Sequence, residues 1–201
     1  YEKYEFDFKN INETINKLNK KEFAVINNDI SLKMKKEILK AKEENDSVGG
    51  IIETIAINVP LCLGEPYFNS FESYLSHLLF SLGGIKGVEF GDGFAFKNKK
   101  GSEVADELKI INNNIKILSN HNGGINGGIS NGNPIIFRCV IKPTSSIAKP
   151  LNTINYLSNE NITLNLKGRH DPCILTRIRV AIDAITYITI LDFYLRLLKK
   201  G

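Results

Sequence analysis

The stretch NHNGGINGGISNGN, residues 120 to 133, constrains the fold of this chain more than any other segment. It places five glycines and five asparagines in fourteen positions and runs directly into the apolar segment PIIFRCVIK. Such a tract is either a flexible linker or a tightly shaped loop whose backbone amides approach a ligand. Composition alone favours the linker, so the neighbouring segments are needed to distinguish the two alternatives.

Hydrophobic periodicity predicts alternating helices and strands around this tract. A charged helix is expected over 31–46 behind an N-cap at Ser31, and the alternating apolar residues of GGIIETIAINVP predict a half-buried strand. The remaining segments are a helix over YFNSFESYLSHLLFSL, a short strand in KGVEFGDGFAF, an exposed loop at KNKKGSEVADEL, a strand over 134–142 and a long helix from about Ile174 to Lys199. This order of elements predicts a layered domain of the α/β or α+β class.

Composition excludes several classes of protein. The 26 basic and 22 acidic residues give a net charge of +4, too small and too scattered for a nucleic-acid-binding protein. Cys62, Cys139 and Cys173 lie far apart, with no spacing typical of a zinc site, which indicates a reducing compartment and no metal centre. The apolar segment VAIDAITYITILDFYLRLL carries two aspartates and an arginine, so we expect a buried helix and no membrane span. From the opening YEKYEFDF, which is typical of the middle of a longer sequence, we expect no leader peptide in this segment.

Two segments carry groups suited to an anionic ligand. In KPTSS, residues 142 to 146, Lys142 supplies charge and three hydroxyls supply short donors, although the same cluster is also typical of a turn. In GRHDPC, residues 168 to 173, Arg169 suits a phosphate or carboxylate. Asp171 followed by proline suits a helix N-cap as well as an acid, base or electrostatic partner. His170 is as consistent with local hydrogen bonding as with function, and His121 in the glycine tract is the better candidate.

Seven blocks follow one another from about Asp46 to the end of the chain: DSVGG, VPLCLGEPYF, KGVEFGDGF, GSEVADE, NHNGGINGGISNG, KPTSSI and GRHDPC. In their order and approximate spacing they resemble the chorismate synthase family. Residues 1–45 fit a variable insert before the first block. The resemblance implies a single partial domain over residues 1–201, with helices packed against antiparallel sheets as part of the family's sandwich.

The resemblance also implies a reaction. The family eliminates phosphate from 5-enolpyruvylshikimate 3-phosphate to give chorismate, a 1,4-anti elimination that requires reduced FMN (FMNH2). By resemblance the flavin is held by Glu103 and Val104, by Gly127, by Arg169 and by the KPTSS residues Lys142, Pro143, Thr144, Ser145 and Ser146. Asp171 matches the aspartate thought to help proton transfer near the reactive flavin nitrogen. The glycine tract is then a shaped loop. A cytoplasmic homotetramer is expected, with no nucleic-acid or membrane partner.

The chain departs from the family pattern in one major respect. The family's two acid histidines, several substrate-binding arginines and a glycine- and serine-rich flavin motif have no match among these residues, and His77, His121 and His170 align with neither family histidine. We therefore expect this chain alone to be inactive or nearly so. The first alternative is a non-catalytic remnant or assembly module that keeps the fold. A less favoured alternative is an unrelated phosphate-binding domain. Cys62 also replaces a usual glycine, from which a slightly altered turn is expected.

Overall fold

The computed structural model describes residues 10–200. Its contacts divide the chain into two compact units, one containing residues up to Gly50 together with Lys142–Ile178, the other containing Ile51–Ile141 and the chain from Arg179 onward. We call them the first unit and the second unit. The opening YEKYEFDF lies outside the described residues. The single partial domain expected over residues 1–201 stays a prediction.

Five helices and nine strands follow one another along the described part of the chain. The helices are α1 (Ile11–Asn19), α2 (Asn28–Glu43), α3 (Phe71–Phe80), α4 (Gly101–Val104) and α5 (Leu175–Lys200), with a 3-10 helix at Gly93–Asn98. The strands are β1 (Gly50–Ala56), β2 (Ile85–Phe90), β3 (Leu108–Ile111), β4 (Asn114–Ile117), β5 (Ile125–Asn126), β6 (Ile129–Ser130), β7 (Ile135–Ile141), β8 (Leu151–Asn155) and β9 (Glu160–Leu164).

The second unit is built on a three-stranded sheet of order β1-β7-β2, in which β2 and β7 run antiparallel. Alternate residues of the central strand are buried, as expected when one face of a strand meets a core. They are Ile135, Phe137, Cys139 and Ile141. Helix α3 buries Phe71, Leu75 and Leu79, and the Phe71 ring stacks on Phe193 of α5 with ring centroids 5.5 Å apart. The expected layering of helices on antiparallel strands is confirmed.

Most predicted elements of the second unit appear within a few residues of their expected bounds. The strand expected at 134–142 is β7, and the helix expected at 67–82 is the shorter α3, which begins after Ser70 because the Ser70 hydroxyl accepts from the Ser73 amide. In β1 the expected inward residues are only half-buried, and Thr54 on the other face is the buried one. The expected exposed loop at KNKKGSEVADEL contains the short helix α4.

The first unit contains α1, α2 and the antiparallel hairpin β8–β9. The N-cap predicted at Ser31 is wrong, because α2 begins four residues earlier. The Asn27 side chain accepts from the amides of Asp29 at 2.8 Å and Ile30 at 3.2 Å, and the Ser31 amide already donates to the Asn27 carbonyl within the first turn. Within residues 10–200, no helix is both long enough and apolar enough to cross a lipid bilayer.

Cys62 occupies a left-handed backbone conformation with φ of 65°. Its amide donates to the Ser130 carbonyl at 3.0 Å. The slightly altered turn expected from the replacement of glycine stays a prediction. A residue with a Cβ in this region is strained by roughly 1–2 kcal/mol.

Replacement of this residue by glycine tests the strain. Cys62→Gly is expected to raise the free energy of unfolding by about 1 kcal/mol, because relief of the strain exceeds the entropy that glycine loses on folding. Urea unfolding measures the change, and Cys62→Ala is the matched control because it removes the thiol and keeps the Cβ. Equal stability of the two variants would contradict this explanation.

Candidate functional site

The glycine tract in the second unit has a defined conformation. Gly127 and Gly128 form the two-residue turn between β5 and β6, with φ of 58° and 83°. Two successive residues with positive φ are typical of the hairpin turns that glycine favours. A Cβ at Gly128 would lie 2.5 Å from the Ser70 Cβ, so glycine is needed there for packing, whereas nothing lies within 4 Å of a Cβ at Gly127. The tract is a shaped loop, as the resemblance implied.

The start of the tract packs directly against the end of β2. A Cβ at Gly123 would lie 2.4 Å from the Gly91 amide nitrogen, so only glycine allows the two backbones to approach this closely. The Gly91 amide donates to the Ile136 carbonyl at 2.9 Å, and the Ile136 amide donates to the Gly123 carbonyl at 3.1 Å. The Arg138 guanidinium donates to the Gly91 carbonyl at 2.7 Å and pairs with Glu89 at 3.1 Å. The loop is thus joined to the central sheet by backbone hydrogen bonds, and Arg138 joins β7 to the end of β2 beside it.

Asp106 holds the first residues of the tract. One carboxylate oxygen accepts from the Ser119 hydroxyl at 2.7 Å and from the His121 amide at 2.8 Å. The other accepts from the Asn122 amide at 3.3 Å and from its side-chain nitrogen at 3.1 Å. Burial acts to raise the pKa of Asp106, but these hydrogen bonds outweigh burial and lower the pKa below its usual value. A charged carboxylate therefore fixes the loop.

His121, the better of the two histidine candidates, is oriented by a second carboxylate. Its Nδ1 lies 2.6 Å from Asp92 Oδ2, which also accepts from Lys99 Nζ at 2.5 Å. Burial acts to raise the pKa of Asp92, but the hydrogen bonds and charges of Lys99 and His121 outweigh burial and lower it. The Asp92 amide donates to the His121 carbonyl at 2.7 Å, so the pair is held through backbone and side chain alike.

Three of the predicted flavin-binding residues lie in this second unit. Glu103 is exposed in α4, where its carboxylate accepts from the Lys100 amide at 2.7 Å, and Val104 beside it is half-buried. Both lie within three residues of Asp106 along the chain. Gly127 is exposed at the tip of the β5–β6 turn.

The other predicted residues lie in the first unit, where hydrogen bonds join three segments that are distant in sequence. Thr144 is half-buried and its hydroxyl donates to the Asp171 carbonyl at 2.9 Å. The Ser47 hydroxyl donates to the Thr144 carbonyl at 2.6 Å. The predicted residues that stay exposed are Lys142, Pro143, Ser145, Ser146 and Arg169. The structure therefore brings KPTSS and GRHDPC together and leaves their polar groups open to solvent.

The interpretation of Asp171 as an N-cap with proline at the first helical position is wrong. Helix α5 begins at Leu175, and the Ile174 carbonyl accepts from the amides of Arg177 and Ile178. The Pro172 carbonyl accepts from the Val48 amide at 2.8 Å, a contact between segments that draws this stretch out of the helix. The Asp171 carboxylate pairs instead with Arg177, at 2.5 Å. Within residues 10–200, His170 Nε2 is buried with no hydrogen-bond partner.

Sequence reasoning missed three carboxylates that hold the segments of the candidate site in place. Asp46 pairs with Lys149 at 2.7 Å and accepts from the Ser47 amide at 2.8 Å, and these hydrogen bonds lower the pKa of Asp46. Asp46, Asp92 and Asp106 each lie inside a block that carried the resemblance, which was the available signal. Among the described residues no cluster of histidine, cysteine or acidic side chains is able to hold a metal ion.

Comparison with known proteins finds similarity to chorismate synthases. A family model described as chorismate synthase matches residues 5–195. The chorismate synthase of Korarchaeum cryptofilum is 43% identical over 170 residues, which cover 85% of this chain and 47% of that protein. That of Chitinophaga pinensis is 47% identical over 150 residues, covering 75% and 45%. A crystal structure of chorismate synthase superposes with a TM-score of 0.76 at 26% identity, covering 96% of this chain and 51% of the other. The chain spans about half the length of the curated relatives it matches.

Removal of the Asp106 charge tests the loop anchor. At pH 7 Asp106→Asn is expected to lower the free energy of unfolding by about 1–3 kcal/mol, because the new amide group faces four hydrogen-bond donors. A lowered pKa contributes stability above the unfolded-state pKa of about 4 and loses it as pH falls through the folded-state value. The deficit of the variant, measured by urea unfolding, is therefore expected to shrink between pH 5 and pH 3.

The neighbouring Glu107→Gln is the matched control for this experiment. It removes the same charge from an exposed side chain whose partner is Lys109 at 3.2 Å, and should change stability by less than about 0.5 kcal/mol. A deficit of Asp106→Asn no larger than that of the control would contradict the anchoring role.

Proposed function

Because the chain belongs to the chorismate synthase family, we propose that it forms the flavin- and substrate-binding part of a lyase. The proposed reaction eliminates phosphate from 5-enolpyruvylshikimate 3-phosphate to give chorismate, with reduced FMN as cofactor. The hydrogen bond from Thr144 to the Asp171 carbonyl, 2.9 Å long, carries this proposal. It joins the segment assigned to the flavin phosphate to the segment that supplies the assigned acid-base residue.

The first-unit residues suit a phosphate group. Lys142 supplies a mobile positive charge, and Ser145 and Ser146 supply hydroxyl donors on an exposed segment. Ser47 and Thr144 donate to backbone carbonyls, so they fix this segment and leave the exposed groups for a ligand. Arg169, exposed in the adjoining segment, offers a planar pair of donors for phosphate or carboxylate.

The second-unit residues suit a flat ligand that comes close to the backbone. Gly127 is exposed and the space beside its Cα is open, although no neighbour requires glycine there. Absence of a side chain at such a position is expected where a cofactor passes. Asp106 and Asp92 hold the adjoining loop, so the loop conformation exists before any ligand binds.

Each residue would then have a simple role. Reduced FMN held by these residues would supply the electron that the elimination requires. Lys142 and Arg169 neutralise the charge of the flavin phosphate. The hydroxyls of Ser145 and Ser146 donate to this phosphate and orient it. Asp171 holds or moves a proton through its carboxylate, and Arg177 at 2.5 Å orients that carboxylate. We further propose a cytoplasmic homotetramer for the complete enzyme.

The phosphate role of Lys142 is tested by titrating the purified chain with reduced FMN under anaerobic conditions and following flavin fluorescence. Lys142→Ala is expected to weaken binding roughly 10- to 100-fold, because a charge-assisted contact to phosphate is lost. Lys167→Ala removes an equally exposed lysine and is the control. The same affinity in both variants, or absence of binding to the unmodified chain, would contradict the assignment.

The 201-residue chain by itself is expected to give no measurable chorismate from the enolpyruvyl substrate and chemically reduced FMN. The reason is that its three histidines align with neither of the two acid histidines that the resemblance requires. A single-turnover absorbance assay measures the product. Chorismate formation would show that this chain suffices for the reaction and would contradict the prediction. Flavin binding without turnover separates an incomplete enzyme from a purely structural remnant.

A further inference from the structure

A pocket in the first unit is lined by none of the residues assigned to flavin or substrate. Its volume is about 290 Å³, and we call it the α2 pocket. Three segments of the first unit surround it: the connection between α1 and α2, helix α2 itself, and the chain that leads into α5. The residues that line it are Phe23, Lys35, Ile38, Leu39, Cys173 and Thr176.

Helix α2 supplies half of the lining. Lys35, Ile38 and Leu39 are separated by three and four positions, so their side chains lie beside one another on the helix surface. Leu39 is 57% exposed, which leaves apolar surface of the pocket in contact with solvent. A ligand that covers this surface gains the free energy of apolar burial.

Lys35 is the charged residue of the α2 pocket. Its ammonium group lies 5.5 Å from the centre of the Phe23 ring, a cation–π distance that holds the charge at the pocket. None of the six lining residues is acidic, so no carboxylate of the pocket wall neutralises this charge. The α2 pocket therefore combines an apolar lining with one positive charge, which suits an anionic group on an apolar body.

The size and shape of the pocket select a small molecule. Ligand pockets usually enclose roughly 300–1,000 Å³, so the α2 pocket lies at the lower end of this range and suits a molecule of one or two rings. A protein partner would need an extended surface of about 800 Å², which six residues around a concave pocket do not offer. An aromatic ring also suits Phe23, because edge-to-face contact between aromatic rings stabilises beyond the area buried.

We propose that the α2 pocket binds a small aromatic carboxylate. Its ring packs against Ile38, Leu39 and the edge of Phe23, and its carboxylate accepts from the Lys35 ammonium group. This inference goes beyond the proposed function and does not depend on flavin or on the elimination. In sequence Cys173 and Thr176 lie between Asp171 and Arg177, whose side chains pair at 2.5 Å, so a bound ligand adjoins the segment that carries this ion pair.

Equilibrium dialysis of the purified chain against 1-naphthoate tests the proposal. We expect a dissociation constant of about 1 mM or tighter, the affinity of a ligand with so few atoms. Lys35→Ala is expected to weaken binding about 5- to 10-fold, because a charge-assisted contact at an exposed side chain is lost. Lys36→Ala removes the neighbouring exposed lysine, which does not line the pocket, and is the control. The uncharged 1-naphthamide should bind the unmodified chain and Lys35→Ala equally.

The three cysteines report where the probe binds. Cys173 lines the pocket, whereas Cys62 is exposed elsewhere and Cys139 is buried in the second unit. Burial raises the pKa of Cys139 to about 12, so its thiol does not react at neutral pH. Alkylation by iodoacetamide, followed by mass spectrometry of the peptides, is expected to slow at Cys173 when 1-naphthoate is bound. The rate at Cys62 should stay unchanged.

Three results would overturn the proposal: no binding of 1-naphthoate at several millimolar, equal affinity in Lys35→Ala and Lys36→Ala, or equal slowing of alkylation at Cys62 and Cys173. Lys35→Ala should also leave the affinity for reduced FMN unchanged, in contrast to Lys142→Ala. A loss of flavin binding in Lys35→Ala would show that the α2 pocket belongs to the flavin site and would overturn the proposal as well. If the unmodified chain binds no flavin, the proposed function fails and the naphthoate measurements still decide the role of the pocket.

Discussion

The carboxylate of Asp106 is the interaction on which the second unit's loop depends. It gathers the Ser119 hydroxyl and the first two amides of the glycine tract, so the backbone enters the tract in one orientation. That orientation brings Gly123 against Gly91 and allows the β5–β6 turn to form with Gly127 at its exposed tip. The glycines allow the positive φ angles that the loop requires. The Asp106 carboxylate then holds the start of the loop in one conformation.

In the first unit, neutral hydroxyls hold distant segments together, as the Asp106 carboxylate holds the loop in the second unit. Ser47 and Thr144 join segments about one hundred residues apart in sequence, and the pair of Asp46 and Lys149 closes the same region at 2.7 Å. The polar groups in these contacts therefore hold the segments in place. The charged and hydroxyl groups that face solvent, Lys142 and Ser145 among them, are therefore available to an anionic ligand.

Sequence reasoning succeeded where periodicity was long and failed where tertiary contacts decided. The apolar segment at 134–142 and the amphipathic pattern from about Ile174 to Lys199 located β7 and α5 within one residue. The N-cap at Ser31 failed because Asn27 is an equally good cap one turn earlier, and the cap at Asp171 failed because Val48, from a distant segment, takes the Pro172 carbonyl. Composition favoured a linker at 120–133, and only the family resemblance pointed to a shaped loop. Strands β5 and β6 have two residues each, which is too short to show a hydrophobic periodicity.

Amide hydrogen exchange of the tract tests the central claim, that residues 120–133 form a loop fixed before any ligand binds. The account predicts protection of the His121, Asn131 and Ser130 amides in the ligand-free chain, because these donate to Asp106, Gly124 and Leu63. The Gly127 amide at the exposed turn should exchange quickly and serves as the internal reference. Exchange of all four amides at the rate of an unfolded chain would show a flexible linker and contradict the account.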